Sequence, residues 1–126
     1  MSTAPSTPTG LLFSQDLFFT SQITGTASKL GFQIDVVGNS DNAMELINPD
    51  IRCLILDLSM PGLSVSGILS SIPEHQTVAS VAYGSHVNTR LLNSARESGC
   101  TEVLPKSRFT AELPAILRRY LGEESD

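Results

Sequence analysis

The stretch Ile51–Gly62, read as IRCLILDLSMPG, decides the fold that the rest of the chain indicates. Residues 53–56 form a continuous apolar run of strand length, which is typical of a central strand buried on both faces of a parallel sheet. The run ends at Asp57, and the turn residues Met60-Pro61-Gly62 follow. Open α/β sheets bind ligands outside the carboxyl ends of their strands, so Asp57 is a candidate site residue. The alternative is an ordinary strand-end Asp that accepts hydrogen bonds from loop amides.

Length and charge narrow the class of protein. The 126 residues suit a single domain, and 40% apolar with 17% charged residues is an ordinary composition for a soluble protein. The formal net charge of −5 argues against binding to nucleic acid, which relies on clustered Lys and Arg. No stretch approaches the roughly 18 apolar residues of a membrane span. The two cysteines, Cys53 and Cys100, fit reduced thiols in a cytoplasmic protein.

Composition also divides the chain into three parts. Residues 1–9 are rich in Ser, Thr and Pro, and we expect a disordered leader without the features of a signal peptide. Residues 10–121 carry all the apolar periodicity and form one domain. Residues 122–126 are an acidic tail.

Strand and helix patterns alternate five times within this domain, with strands predicted near residues 11–13, 32–37, 51–57, 78–83 and 101–104. Each is followed by a helical pattern; the second should bury Met44 and Ile47, and the last should begin at a cap on Thr110. Five such units predict a doubly wound parallel α/β sheet with helices on both faces.

Four of these strands should end at the same edge of the sheet. That edge would gather residues, most of them polar, from separate parts of the chain: Ser14, Gln15, Asp16, Asp57, Ser59, Gly84, Ser85, His86 and Lys106. An acid, hydroxyls and one lysine that converge from different strands indicate a site. His86 is a candidate because an imidazole beside Asp57 could bind a metal, although loop histidines are commonly plain surface residues.

At this point the chain resembles a response-regulator receiver domain of the chemotaxis-regulator type, over residues 10–121. Asp57 with Met60-Pro61-Gly62, Lys106 after the fifth strand, and a fourth helix that ends at Gly99 carry the resemblance. It implies a flavodoxin-like sheet of strand order 2-1-3-4-5 flanked by five helices. It also implies that Asp57 is the phosphoacceptor, and that Lys106 is the cation that holds the acyl phosphate.

Several positions depart from the receiver pattern. Receivers carry adjacent acids after the first strand that hold Mg²⁺ with the phosphoacceptor, whereas Ser14 and Gln15 occupy those positions here. Asp57 stays a candidate metal ligand, and the Ser59 backbone carbonyl and Asp16, one place late, would be weak substitutes for the missing acids. Asp16 could instead simply begin the first helix. The resemblance therefore implies no cofactor, or a weakly bound Mg²⁺.

The phosphate-contacting hydroxyl that receivers carry after the fourth strand is also displaced. Its position falls on Gly84, which has no side chain, and Ser85 could substitute only if the loop shifts by one residue. Gly84, Ser85 and Lys106 are thus the candidates for phosphate contact.

We therefore predict a stand-alone, degenerate receiver rather than an enzyme, which acts in the cytoplasm by protein–protein interaction with impaired or absent Mg-dependent phosphorylation. Its partners would be a histidine kinase, a phosphotransfer protein or an effector, bound through the fourth helix, fifth strand and fifth helix, and the face of the last helix allows a homodimer. The first alternative is a working phosphoreceiver whose metal site uses Asp16 and Asp57. The second is a flavodoxin-like cofactor binder. Thr24-Gly25-Thr26 lies too far from the first strand to form a phosphate-binding loop, which argues against this alternative.

Overall fold

The computed structural model describes residues 8–122, in which five strands form one parallel sheet of order β2-β1-β3-β4-β5. The predicted doubly wound architecture and strand order are confirmed. The strands are β1 (Thr9–Phe13), β2 (Gln33–Val37), β3 (Ile51–Asp57), β4 (Ala79–Gly84) and β5 (Glu102–Pro105).

Each strand is followed by a helix, as the alternating pattern predicts. The helices are α1 (Leu17–Lys29), α2 (Ala43–Leu46), α3 (Val65–Ser70), α4 (Thr89–Ser98) and α5 (Lys106–Leu121). Gly99 ends α4 with a left-handed backbone, φ 102°, which an L side chain rarely adopts.

The central position of β3 follows from its apolar run. Leu54 and Leu56 pack on one face of the sheet, against the side that carries α2, α3 and α4. Cys53 and Ile55 pack on the other face, against α1 and α5. All four side chains are fully buried, as a central strand of a parallel sheet requires.

The strand β1 begins at Thr9, the last residue of the predicted leader, because Thr9 pairs with Gln33 and Ile51. Residues 1–7 of the predicted leader and residues 123–126 of the predicted acidic tail lie outside the described residues.

The predicted start of the last helix is wrong by one turn. The helix begins at Lys106, and Thr110 lies inside it, where its hydroxyl donates a hydrogen bond to the Lys106 carbonyl at 2.8 Å. Burial explains the earlier start, because Phe109 is 0% exposed between β4 and α1 and must be held by a formed helical turn. Lys106 is consequently a helical residue rather than a loop residue.

The prediction for Met44 is also wrong. The second helix has only four residues, and its buried contacts come from Ala43 and from Ile47 just beyond its end. Met44 points outward and is 70% exposed, because so short a helix cannot turn a second residue towards the core.

Within residues 8–122, no helix combines the length and the apolar character needed to cross a membrane.

Candidate functional site

The parallel sheet brings three chain segments together at the carboxyl ends of its strands. Ser14 follows β1 directly, Asp57 is the last residue of β3, Ser59 lies in the next turn, and Lys106 begins α5 directly after β5. These residues are far apart in sequence, and only the shared strand direction places them at one edge.

Asp57 is buried, with 4% exposure, and its two carboxylate oxygens already have partners. The Ser14 hydroxyl donates to Oδ2 at 2.6 Å. On the other side, the hydroxyl and the amide of Ser59 donate to Oδ1 at 2.6 Å and 3.0 Å. Three donors thus hydrogen-bond the two oxygens of this carboxylate, and hydrogen bonds to an ionised acceptor are the strong ones.

Ser14 also connects this carboxylate to the beginning of α1. Its oxygen accepts a hydrogen bond from the Asp16 amide at 3.1 Å while its hydroxyl proton is directed to Asp57. Ser14 is 3% exposed, so a donor lost here would not be replaced by bulk water.

Lys106 forms its ion pair with Asp16 rather than with Asp57. Its Nζ lies 3.5 Å from Asp16 Oδ2 and 4.4 Å from the centre of the Phe19 ring, which is a cation–π contact. The other Asp16 oxygen caps α1 by accepting from the Phe19 amide at 3.0 Å. This backbone hydrogen bond, and then the Lys106 ammonium, lower the pKa of Asp16.

An aromatic layer lies beneath both groups. Tyr83 stacks on Phe109 at 4.6 Å between ring centres and meets Phe19 edge-on at 5.1 Å. The Tyr83 hydroxyl is buried without a hydrogen-bond partner among the described residues. Burial, and then the nearby Asp57 carboxylate, raise the pKa of Tyr83 above its usual value, so this phenol stays neutral.

The remaining predicted site residues stay away from the carboxylate. The Gln15 side chain donates to the Gly38 carbonyl at 2.7 Å, and the Ser85 oxygen accepts from the Val87 amide within its own exposed turn. His86 is exposed, with no side-chain hydrogen bond or ion pair to another residue of the 8–122 range. A Cβ at Gly84 would meet Leu58 at 3.3 Å, so a threonine in its place would press on the core.

Two contributions were missed by reasoning from the sequence. Ser59 was placed at the polar edge, and its backbone carbonyl was given a possible role, but the direct contact of its hydroxyl with Asp57 was not predicted. Its spacing of two residues after an Asp is the pattern of an Asx turn and could have indicated this contact. Phe19 beneath Lys106 carried no signal in the sequence, because their contact depends on how α1 packs against α5.

The oxygen ligands at this edge of the sheet do not fit a resident Mg²⁺ ion. Such an ion requires near-octahedral oxygen ligands and usually carboxylate charge. Both oxygens of Asp57 accept from serine hydroxyls, and both oxygens of Asp16 are committed to the helix cap and to Lys106. Across residues 8–122, no group of three or more His, Cys, Asp or Glu side chains is arranged to hold a metal ion.

Comparison with solved structures identifies the fold as that of response-regulator receiver domains. The receiver domain of NtrX from Brucella abortus is 21% identical, with a TM-score of 0.73 over 91% of this chain and 99% of that one. The receiver domain of sensor histidine kinase PA1611 from Pseudomonas aeruginosa is 20% identical, with a TM-score of 0.73 over 92% and 98%, and its structure has a magnesium ion coordinated in the active-site cleft. A response regulator receiver protein from Burkholderia phymatum is 20% identical, with a TM-score of 0.70 over 94% and 98%.

Neither protein-family models nor curated proteins match the sequence. The likeness to receiver domains therefore lies in the arrangement of the backbone.

Proposed function

We propose that this chain is a receiver-like signalling module that acts through protein–protein interaction, and that Mg-dependent phosphorylation of its Asp57 is impaired or absent. One observation carries the proposal: the Asp57 carboxylate is enclosed by the Ser14 and Ser59 hydroxyls, while Lys106 is paired with Asp16. Asp57, the expected nucleophile, and Lys106, the expected stabilising cation, lie at one edge of the sheet. Each of them is thus paired with a different group instead of with the other. We assign the site no catalytic turnover.

The chemistry of phosphoryl transfer supports this proposal. A carboxylate that attacks a phosphoryl group needs its incoming negative charge neutralised, and metal ions and lysine are the usual means. Here the serine hydroxyls satisfy Asp57 itself, but a hydroxyl neutralises no charge on an incoming phosphoryl group. The main competing function is a working phosphoreceiver, which the shared location of Asp57 and Lys106 at one edge favours.

Phosphorylation is tested by incubating the protein with acetyl phosphate and Mg²⁺ and measuring its intact mass. We expect no adduct, and a receiver domain that does take up a phosphoryl group from acetyl phosphate, treated in parallel, serves as the control for the reagent. A stoichiometric gain of about 80 Da, the mass of one phosphoryl group, that disappears in Asp57→Asn would establish the phosphoreceiver instead.

The proposed docking face consists of α4, β5 and α5. Val87, just before α4, is 75% exposed, and Leu91 on its first turn is 38% exposed. These two exposed apolar side chains lie at the start of α4, the helix that contacts β5, and their exposure supports a partner contact here. A histidine kinase, a phosphotransfer protein or an effector remains the expected class of partner, and a homodimer through α5 is the competing occupant. The proposal includes a cytoplasmic location, which the two free thiols of Cys53 and Cys100 favour.

Docking is tested by crosslinking the tagged protein in its native cells and identifying what it captures. Leu91→Arg should abolish the capture, because it places a charge in the apolar contact. Asp57→Asn should leave the capture unchanged, since the proposed interaction does not require phosphorylation. Loss of the partner in Asp57→Asn would contradict the proposal, and light scattering on the pure protein distinguishes a dimer from a foreign partner.

A further inference from the structure

A cavity of about 770 Å³ lies at the amino ends of β3, β4 and β5, at the edge of the sheet opposite Asp57. Its lining comes from the start of β3, the segment before β4, Thr101 before β5, and the end of α5. Its volume is within the range of small-molecule sites, roughly 300–1,000 Å³.

The charge of this cavity is opposite to that of the chain. The net charge is −5, yet the cavity is lined by Arg52, Arg119 and His75 and by no Asp or Glu. Arg119 is partly neutralised, because it donates to Glu102 at 2.7 Å. Arg52 and His75 have no side-chain hydrogen bond or ion pair within the described part of the chain, so their polar groups are available to a ligand.

A local irregularity of β3 explains why Arg52 reaches the cavity. Thr9 pairs with Ile51 and Gly10 pairs with Cys53. Arg52 is therefore an extra residue that has no paired residue on β1, as in a β-bulge. Ile51 and Cys53 on either side are 1% and 0% exposed, whereas Arg52 is exposed. Bulges are rare between parallel strands, and they redirect a side chain beside a functional site.

The walls around Arg52 are held in place by hydrogen bonds. The Gln76 side chain donates to the Asn48 and Ile51 carbonyls at 2.8 Å and 3.0 Å, which ties the segment before β4 to the start of β3. The Thr101 side chain accepts from the Ser80 amide while the Ser80 oxygen accepts from the Thr101 amide. Pro49, Val78 and Ala79 add an apolar wall.

We propose that this cavity binds a small organic anion, a carboxylate or a phosphate monoester carried on a flat apolar body. The Arg52 guanidinium binds the anion through two parallel hydrogen bonds, because its planar fork matches a carboxylate or phosphate. The apolar body packs against Val78 and the Tyr120 ring. This site is separate from Asp57, so the proposal stands or falls independently of the signalling function.

The test is a nuclear magnetic resonance titration of the full ¹⁵N-labelled chain with three probes that share one ring: phenyl phosphate, benzoate and neutral benzamide. We expect saturable shifts of the Thr77, Ala79 and Thr101 amides with at least one of the two anions, and the comparison between them identifies which anion the site prefers. Benzamide should bind at least about tenfold more weakly, since it lacks the charge that Arg52 contacts.

Arg52→Gln should weaken the anion about tenfold. Arg90→Gln, which removes the same charge from the start of α4 at the other edge of the sheet, should leave the affinity unchanged. Both variants should retain the dispersed amide spectrum of the parent, which confirms folding. Absence of saturable shifts with both anions, equal affinity for benzamide, or undiminished affinity in Arg52→Gln would each overturn the proposal.

Discussion

Asp57 and Lys106 carry opposite charges at the same edge of the sheet, but their surroundings differ completely. Asp57 is buried and receives three short hydrogen bonds from Ser14 and Ser59. Lys106 is almost half exposed and is shared between Asp16 and the Phe19 ring. Two opposite charges at one edge of a sheet can therefore each find a local partner instead of pairing with one another.

The difference also predicts how much each group contributes to stability. Donors to a buried carboxylate are expensive to remove, because the charge would be left without compensation. An exposed ion pair contributes little, because water and salt screen it. Four tests probe this contrast, in order of decreasing effect.

The largest effect is expected from placing acids at Ser14 and Gln15. In Ser14→Asp/Gln15→Asp, a second carboxylate replaces the hydroxyl that now lies 2.6 Å from Asp57. Two like charges at such a distance should lower the free energy of unfolding by about 2–4 kcal/mol at neutral pH. Thermal unfolding should become Mg²⁺-dependent, since an ion that binds only the folded state raises Tm.

The matched control for that variant is Ser14→Asn/Gln15→Asn, which has the same side-chain size without the charge. If the Asn variant is as unstable as the Asp variant, or if Mg²⁺ stabilises neither of them, crowding rather than charge would explain the loss.

A smaller effect is expected from removing one hydroxyl. Ser14→Ala should lower the free energy of unfolding by about 2 kcal/mol, because a buried charge loses a donor that water cannot replace. Ser59→Ala should cost less than half as much, since the exposed Ser59 keeps its amide on the same Asp57 oxygen. Urea denaturation of both variants measures the two losses in the free energy of unfolding. Equal losses would show that the hydrogen bonds to Asp57 explain neither of them.

Lys106→Met tests how much the exposed lysine contributes to stability. The methionine keeps the apolar contact with Phe19 and removes only the ammonium, so the loss of stability should be well below that of Ser14→Ala. Urea denaturation at low and at high salt is the measurement. A loss as large as that of Ser14→Ala would mean that Lys106 neutralises Asp57 after all.

The smallest effect is expected from Asp16→Asn, and it should depend on pH. Asparagine can still cap α1, so only the carboxylate charge is lost. Because the folded-state pKa of Asp16 is lowered, its contribution is complete above the unfolded value of about 3.9 and disappears as the pH falls through the folded-state value. The difference in Tm between Asp16→Asn and the parent protein should therefore vanish in acid. A difference that persists in acid would show that the substitution acts through the helix cap alone.

Most of the fold could be predicted from local patterns. The apolar run of β3, the alternation of five strand and helix signals, and Gly99 after α4 each depend on residues that are close in sequence. The start of α5 could not be predicted in this way. Phe109 extends the helix back to Lys106 through contacts with Phe19 and Tyr83, which belong to distant elements.

The sequence by itself thus determined the strand that ends at Asp57, the class of sheet, and the set of polar residues at its edge. Only the tertiary structure decided their pairing: Ser14 with Asp57, Asp16 with Lys106, and Gln15 with the end of β2. It also decided that Arg52 occupies a bulge and points away from the core. The physical reason is that hydrogen bonds and ion pairs form between whichever groups packing brings within about 3–4 Å, and separation along the chain does not encode that distance.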